Sequence, residues 1–248
     1  MNQNATTIDG LLNNRVQVEQ PSKGFRIAVD TVFLAAAVPA KGGEDILDLG
    51  CGVGGAMLCV SCRVPGIKGL GLEIQDDLVN LCKKNILRNS FAASLEVRRG
   101  DAAALPDDLK ERFDHAFMNP PYHESASHDV SVNRVKGLSN TEVEGLEAWL
   151  SSAALALKPL GMLTLIHKAE RLQSIRELLR KNFGYIGVLP LLSKKGGVPK
   201  RVIVGARKGA AFSVKESEPF LLHQSTGAFT AEAEAVLRRG EALGFMER

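Results

Sequence analysis

The chain has 248 residues, room for a complete α/β sheet with helices on both faces and the upper end for one domain. Apolar residues make up 45% and charged residues 24%, with a net charge of +3 and a pI near 8.7, a balance ordinary for a globular enzyme that permits a nucleic-acid partner without requiring one. No apolar run reaches the roughly 18 residues needed to cross a bilayer, MNQNATTIDG lacks the features of a secretory signal, and 5% aromatics exclude a single-strand stacking platform; a cytoplasmic enzyme without membrane contact is expected.

Residues 1–43 precede the first core strand and read as an N-terminal extension, in which RVQVEQ has edge-strand character and RIAVDTVFLAAAV helical character. DILDLG then predicts a strand, and a glycine-rich turn opens a helix around Ala56–Arg63. IKGLGLEI is a second strand, followed by a helix over Asp76–Asn89 with Leu78, Val79, Cys82, Ile86 and Leu87 on one side. SLEVRRGD and FDHAFMN are the third and fourth strands. Short, continuously apolar strands alternating with helices indicate a parallel sheet covered on both faces.

Between Tyr122 and Thr141 no periodicity appears, and a loop that long in a compact domain is usually functional. Thr141 and Glu144 have capping-box spacing ahead of a helix reaching Leu157, which the turn Lys158-Pro159-Leu160-Gly161 stops. MLTLIHK is the fifth strand, and AERLQSIRELLRKNFG an amphipathic helix with Leu172, Ile175, Leu178 and Leu179 facing inward. YIGVLPLL and RVIVGAR follow, separated only by the polar turn SKKGGVPK, so the last strand runs antiparallel in a hairpin. Residues 209–248 form a C-terminal tail. The expected fold is one α/β domain over residues 1–248, Rossmann-like, with a seven-stranded mostly parallel sheet ending in an antiparallel hairpin.

Cys59 and Cys62 form a C-x-x-C, with Cys51 and Cys82 nearby. A structural zinc site needs a second ligand pair, which is missing, and AMLCVSC reads as buried helix in which cysteine serves as a small apolar residue. No metal is expected.

Two motifs carry chemistry. The first is Asp48-Leu49-Gly50-Cys51-Gly52-Val53-Gly54-Gly55 at the end of the first core strand. Its glycines let the backbone turn sharply and approach a ligand at a helix N-terminus, and Gly50, Gly52 and Gly55 satisfy the dinucleotide spacing. Glu73 ends the second strand, where an acid accepts hydrogen bonds from ribose hydroxyls. That much fits either a nicotinamide dinucleotide or S-adenosylmethionine. Asp48 tilts the choice to the latter, because a carboxylate there suits the ammonium of a methionine moiety.

The second motif is Asn119-Pro120-Pro121-Tyr122 directly after the fourth strand, at the same carboxyl edge. An exocyclic amine on a ring is a poor nucleophile because its lone pair is delocalised. The Asn119 side-chain carbonyl and the Pro120 backbone carbonyl offer two acceptors for its N–H groups and favour a pyramidal nitrogen. The prolines stiffen that backbone, and Tyr122 offers a face for a planar substrate.

With these motifs the chain resembles class I S-adenosylmethionine-dependent methyltransferases bearing N-P-P-Y, and within them the bacterial tRNA(Val) adenine N6-methyltransferase family. The likeness runs from about Leu11 to Lys208 and includes GFRIAVDTVFLAAAVP. It implies methylation of adenine N6 in tRNA, with S-adenosylmethionine as cofactor. By that resemblance Asp48, Gly50, Gly52 and Glu73 hold the methionine and ribose portions, with Gly54, Ile74 and Ala102 as further contacts. Asp101 reaches the cofactor's adenine, and Asp30 and Thr31 lie near its methyl end. Asn119, Pro120, Pro121 and Tyr122 hold the target base, Asn119, Pro120 and Tyr122 being the catalytic set. Position 123 is His, where adenine-directed relatives often carry a second aromatic; N-P-P-F-H occurs in relatives that methylate guanine N2 of ribosomal RNA.

His123 is therefore a substrate-contact candidate. His115 reads as structural, His128 as solvated, His167 as a residue at the crevice edge and Trp149 as core. Lys194, Lys195, Lys200 and Arg201 in the hairpin turn, with Arg134 and Lys136 in the long loop, are candidates for RNA phosphate. The alternatives are guanine N2 methylation in ribosomal RNA, N5 methylation of a protein glutamine, a NAD(P)-dependent oxidoreductase, and a non-catalytic RNA-binding protein.

Overall fold

The computed structural model describes residues 5–23, 26–121 and 138–246, without the side chains of residues 138–144. Among these residues β1 (Thr6–Leu11) and β2 (Val16–Pro21) form a two-stranded antiparallel ribbon. The main sheet has nine strands. Its centre is parallel: β3 (Asp45–Leu49), β4 (Lys68–Glu73), β5 (Leu95–Arg99), β6 (Phe113–Met118) and β7 (Leu157–Lys168). Next come β8 (Phe183–Leu192) and β9 (Arg201–Lys208), and β9 inserts between β7 and β8, antiparallel to both. The order across the seven core strands is β5-β4-β3-β6-β7-β9-β8.

The apolar strand runs follow from burial on both sides, since successive side chains point to opposite faces. Ile46, Phe117, Ile166 and Ile203 enter one core, with α1 (Val29–Ala37), α2 (Gly55–Arg63) and α3 (Asp76–Arg88). Leu47, Met118, Leu165 and Val204 enter the other, with α4 (Leu138–Ala156) and α5 (Leu172–Leu179).

Several details depart from the sequence reading. RVQVEQ is no edge of the main sheet: β2 pairs with β1, and its other side is met by asparagine amides of α3. Asn85 Oδ1 accepts from Glu19 N–H at 2.7 Å while its Nδ2 donates to Glu19 O at 2.9 Å, and Asn89 repeats the pattern on Gln17. These amides take the place of a neighbouring strand in satisfying the backbone. On α3, Leu87 is 67% exposed and Leu81 is buried instead, because a residue next to Ile86 is rotated about 100° away from the core stripe. Helix α4 starts at Leu138, so Thr141 lies one turn inside it. Lys158–Gly161 belong to β7 as an irregularity, with Leu160 at φ 63° and a register shift against β6.

The tail also joins the sheet. β10 (Ser213–Glu216) and β11 (Phe220–Leu221) pair parallel with β8, which raises the seven expected strands to nine. A short helix, α6 (Ala231–Glu234), then widens into a π-turn over Ala235–Arg239, and Leu243 N–H donates to Ala36 O at 2.8 Å. The chain end folds back over the last hairpin, where Gly187 and Gly205 face each other in register. Any side chain at either glycine would collide with Met246.

Candidate cofactor and substrate site

The carboxyl ends of β3, β4 and β6 converge on one cleft. Beyond Leu49 the chain turns through Gly50 at φ 67°, Gly52 at φ 56° and Gly54 at φ 88°, values that L side chains resist. Gly50 and Cys51 N–H both donate to Leu72 O, at 2.8 and 3.1 Å, which locks the turn to the end of β4. Gly54 is the left-handed residue before α2 and faces Cys82 and Leu58, away from the cleft. The Trp149 ring packs directly onto Gly50, so this residue of α4 supports the turn from the second core.

Asp48 and Glu73 are buried at this turn, with 3% and 5% exposure. Asp48 Oδ2 accepts from Met57 N–H at 3.2 Å at the start of α2. Burial pushes its carboxyl up to about 8; the Met57 N–H opposes the shift and the Glu73 charge adds to it. Glu73 is held at both oxygens, by Gly52 N–H and Gln75 N–H, each at 2.9 Å. Next to it Ile74 is 54% exposed. At the end of β5, Asp101 Oδ1 accepts from Ala103 N–H at 2.8 Å and Ala102 is buried.

The cleft is lined by Asp48, Gly50, Gly52, Thr31 and Asn119, which brings the two motifs together. Asn119 is half-buried, Pro120 buried and Pro121 exposed, while Tyr122, His123, His128, Arg134 and Lys136 lie outside the described residues. The sequence reading missed Gln20, Ile27 and Leu34, which line the cleft from the N-terminal segment. Gln20 Oε1 accepts from Ile27 N–H at 2.8 Å and its Nε2 donates to Asp9 at 2.8 Å. Its signal was visible: Val16, Val18 and Gln20 alternate on the buried side of β2, with a polar residue at the inward position.

A buried carboxyl raised to about 8 is a place for a cation, and Glu73, buried beside Gly52, keeps lone pairs for hydroxyl groups. Asp48 could thus hold an ammonium, Glu73 a ribose and Ile74 the face of an adenine, so these residues fit S-adenosylmethionine.

In sequence Arg201 and Asp30 stand far apart, one a phosphate-contact candidate and the other a cofactor neighbour. They form a partly buried ion pair, Nε to Oδ2 at 2.7 Å, which ties β9 to α1 above the cleft. Lys194, Lys195 and Lys200 are exposed in the β8–β9 turn. His115 lies towards the amino end of β3, beside Ile46, and its Nε2 is 2.9 Å from Glu44 Oε2, remote from the cleft; burial lowers its pKa. His167 is buried near the carboxyl end of β7. Cys59 is buried and its thiol is pushed up to about 12, and Cys62 Sγ meets Arg15 at 3.3 Å.

Residues 26–194 match the model of the methyltransferase small domain family. A tRNA1(Val) (adenine(37)-N6)-methyltransferase of Shewanella sediminis is 24% identical, over 86% of this chain and 91% of its own length. A protein of the same name from Porphyromonas gingivalis is 26% identical over 88% and 89%. Among solved structures, a predicted O-methyltransferase from Agrobacterium tumefaciens has the same fold, with a TM-score of 0.73, 23% identity and coverage of 86% of this chain and 98% of that one. The family match spans both motifs and the strands that carry them, which excludes the oxidoreductase reading: the chain belongs to the methyltransferase small domain family.

Proposed function

We propose that this enzyme methylates an exocyclic amino group, the N6 of an adenine in tRNA, using S-adenosylmethionine. The observation that carries the reading is Asn119 lining the same cleft as Asp48 and Gly50, so that an amine bound at the second motif meets the cofactor held at the first. The adenine and tRNA part draws on the names of relatives that align over most of the chain. S-adenosylmethionine supplies an electrophilic methyl group. Asp48 binds its ammonium, Glu73 its ribose, and Gly50, Gly52 and Gly54 shape the turn around it, with Ile74, Asp101 and Ala102 around its adenine. Thr31 closes the methyl end, and Asp30 holds that roof through Arg201. Residues 1–43 act as a cover for the cofactor and 209–248 as a tail that finishes the sheet. The Asn119 side-chain carbonyl and the Pro120 carbonyl accept from the amine and favour its pyramidal form, with Pro121, Tyr122 and His123 beside the base. No strong base is needed, because the nitrogen becomes acidic once alkylated. Lys194, Lys195 and Lys200 meet phosphate.

The test is incubation of the protein with labelled S-adenosylmethionine and total tRNA, followed by nucleoside mapping. Label in N6-methyladenosine is expected. Asn119→Ala should lower kcat by roughly 10²–10³ with cofactor affinity kept, since a preorganised acceptor acts mainly in the transition state. Label in N2-methylguanosine or in a protein glutamine overturns the substrate, and wild-type turnover of the variant overturns the role of Asn119.

A further inference from the structure

The β8–β9 turn frames a second cleft, of about 630 Å³, on the α5 side of the sheet. Lys168 and Glu170 line it from the end of β7 and the turn that follows, Leu172 and Pro190 from α5 and β8, and Val198, Pro199 and Lys200 from the β8–β9 turn. We propose that this cleft seats the nucleotide next to the methylated base. The inference rests on the RNA reading above and adds a recognition site to it.

Position is the first argument. Lys168 and Arg201 are paired across β7 and β9, and β7 is the immediate neighbour of β6, which ends at Met118, one residue before Asn119. Met118 of β6 pairs with Leu165 of β7, so Lys168 stands one strand over and two residues beyond the level of Asn119, roughly 8 Å away at about 4.8 Å per strand and 3.3 Å per residue. That separation is on the order of one nucleotide step of an extended RNA backbone.

Charge is the second. Lys194, Lys195 and Lys200 crowd the turn with no carboxylate partner among the described residues, and Lys168 has only a loose contact with Glu170 at 3.8 Å. Arg201 is engaged by Asp30, and Glu170 is the one carboxylate in the cleft lining, so the lysines leave this edge with a net positive charge. An anion of repeating charge is the complementary ligand.

Surface chemistry is the third. Val198 is 83% exposed in a turn whose other residues are Ser193, Pro199, two glycines and three lysines. A single exposed valine is ordinary. Here it shares the cleft lining with Pro199, Pro190 and Leu172, an apolar wall beside Lys168 and Lys200. A base can lie flat against that wall while its phosphate faces the lysines, and the two prolines hold the wall rigid.

The experiment uses the full chain and a stem–loop RNA taken from the tRNA that the wild type methylates, with two derivatives made abasic at the nucleotide before or after the target. Wild type should lose about tenfold in kcat/KM on one of the two abasic RNAs. Val198→Asp, which places a negative charge in the cleft, should raise the KM for intact RNA about tenfold and no longer respond to the abasic change. Its S-adenosylmethionine affinity, read by calorimetry, reports that the cofactor site is folded. Lys200→Glu, two residues further along the same turn, should reproduce the higher KM. If neither abasic RNA is impaired, or if Val198→Asp and Lys200→Glu both keep the wild-type KM while wild type methylates RNA, the cleft is not a nucleotide site. If wild type methylates no RNA, the functional reading itself fails, and the cleft proposal falls with it.

Discussion

Replacing Asp48 by Asn should stabilise the free protein and abolish its tight binding of cofactor. The carboxyl is buried, receives one hydrogen bond from Met57 N–H, and is raised from 3.8 to about 8 chiefly by desolvation. Between these two values the folded protein keeps a proton that the unfolded chain has released. The stabilising contribution of the neutral acid is therefore complete below 3.8 and is lost as pH rises through about 8. At pH 7, about three units above the ordinary value, the deficit amounts to roughly 4 kcal/mol, at about 1.4 kcal/mol per unit. Asparagine has the shape of the neutral acid and keeps an acceptor for Met57 N–H, so it escapes this loss. Urea denaturation without cofactor should show the variant gaining on wild type by about 1.4 kcal/mol per pH unit between pH 5 and 7. A difference that does not change with pH refutes the reasoning. The same linkage predicts that S-adenosylmethionine, whose ammonium ionises Asp48, releases close to one proton on binding at pH 7, seen by calorimetry in buffers of different ionisation enthalpy.

Glu73→Ala removes the acceptor for Gly52 and Gln75 N–H together with the proposed ribose contact, and should weaken S-adenosylmethionine binding by about 10–100-fold, or roughly 1.5–3 kcal/mol; unchanged affinity in calorimetry counts against the assignment. Gly50→Ala puts a side chain at φ 67° against the Trp149 ring and should cost about 1–3 kcal/mol, with Trp149→Ala recovering part of it; a wild-type melting temperature for the single variant contradicts this. Gly205→Ala should dislodge Met246 and expose the chain end to proteolysis well before the sheet, and equal digestion of both proteins argues against the packing described.

The alternation of core strands and helices was legible because strands buried on both faces are written as unbroken apolar runs. β1 and β10 were not, since every residue of Ser213–Glu216 and most of Thr6–Leu11 are exposed and leave no apolar period. The site was legible where chemistry sits at strand ends, as with Asp48, Glu73 and Asn119. Ile27 and Leu34 were hidden because they reach the cleft by tertiary packing of α1 and the segment before it, and an apolar residue there reads as core. Arg201 looked like a surface cation because its partner, Asp30, lies 171 positions away.

The insertion of β9 between β7 and β8 sets an order of assembly. During synthesis β8 emerges before β9, yet it has no place in the sheet until Arg201–Lys208 arrive to separate it from β7. Until then β7, with its buried run Met162–Ile166, is an open sheet edge whose N–H and C=O groups lack a neighbour. Such an edge invites pairing with another chain. Truncation before Arg201 therefore converts the longest strand of the sheet into an aggregation template, and the final hairpin protects the nascent domain as much as it completes it.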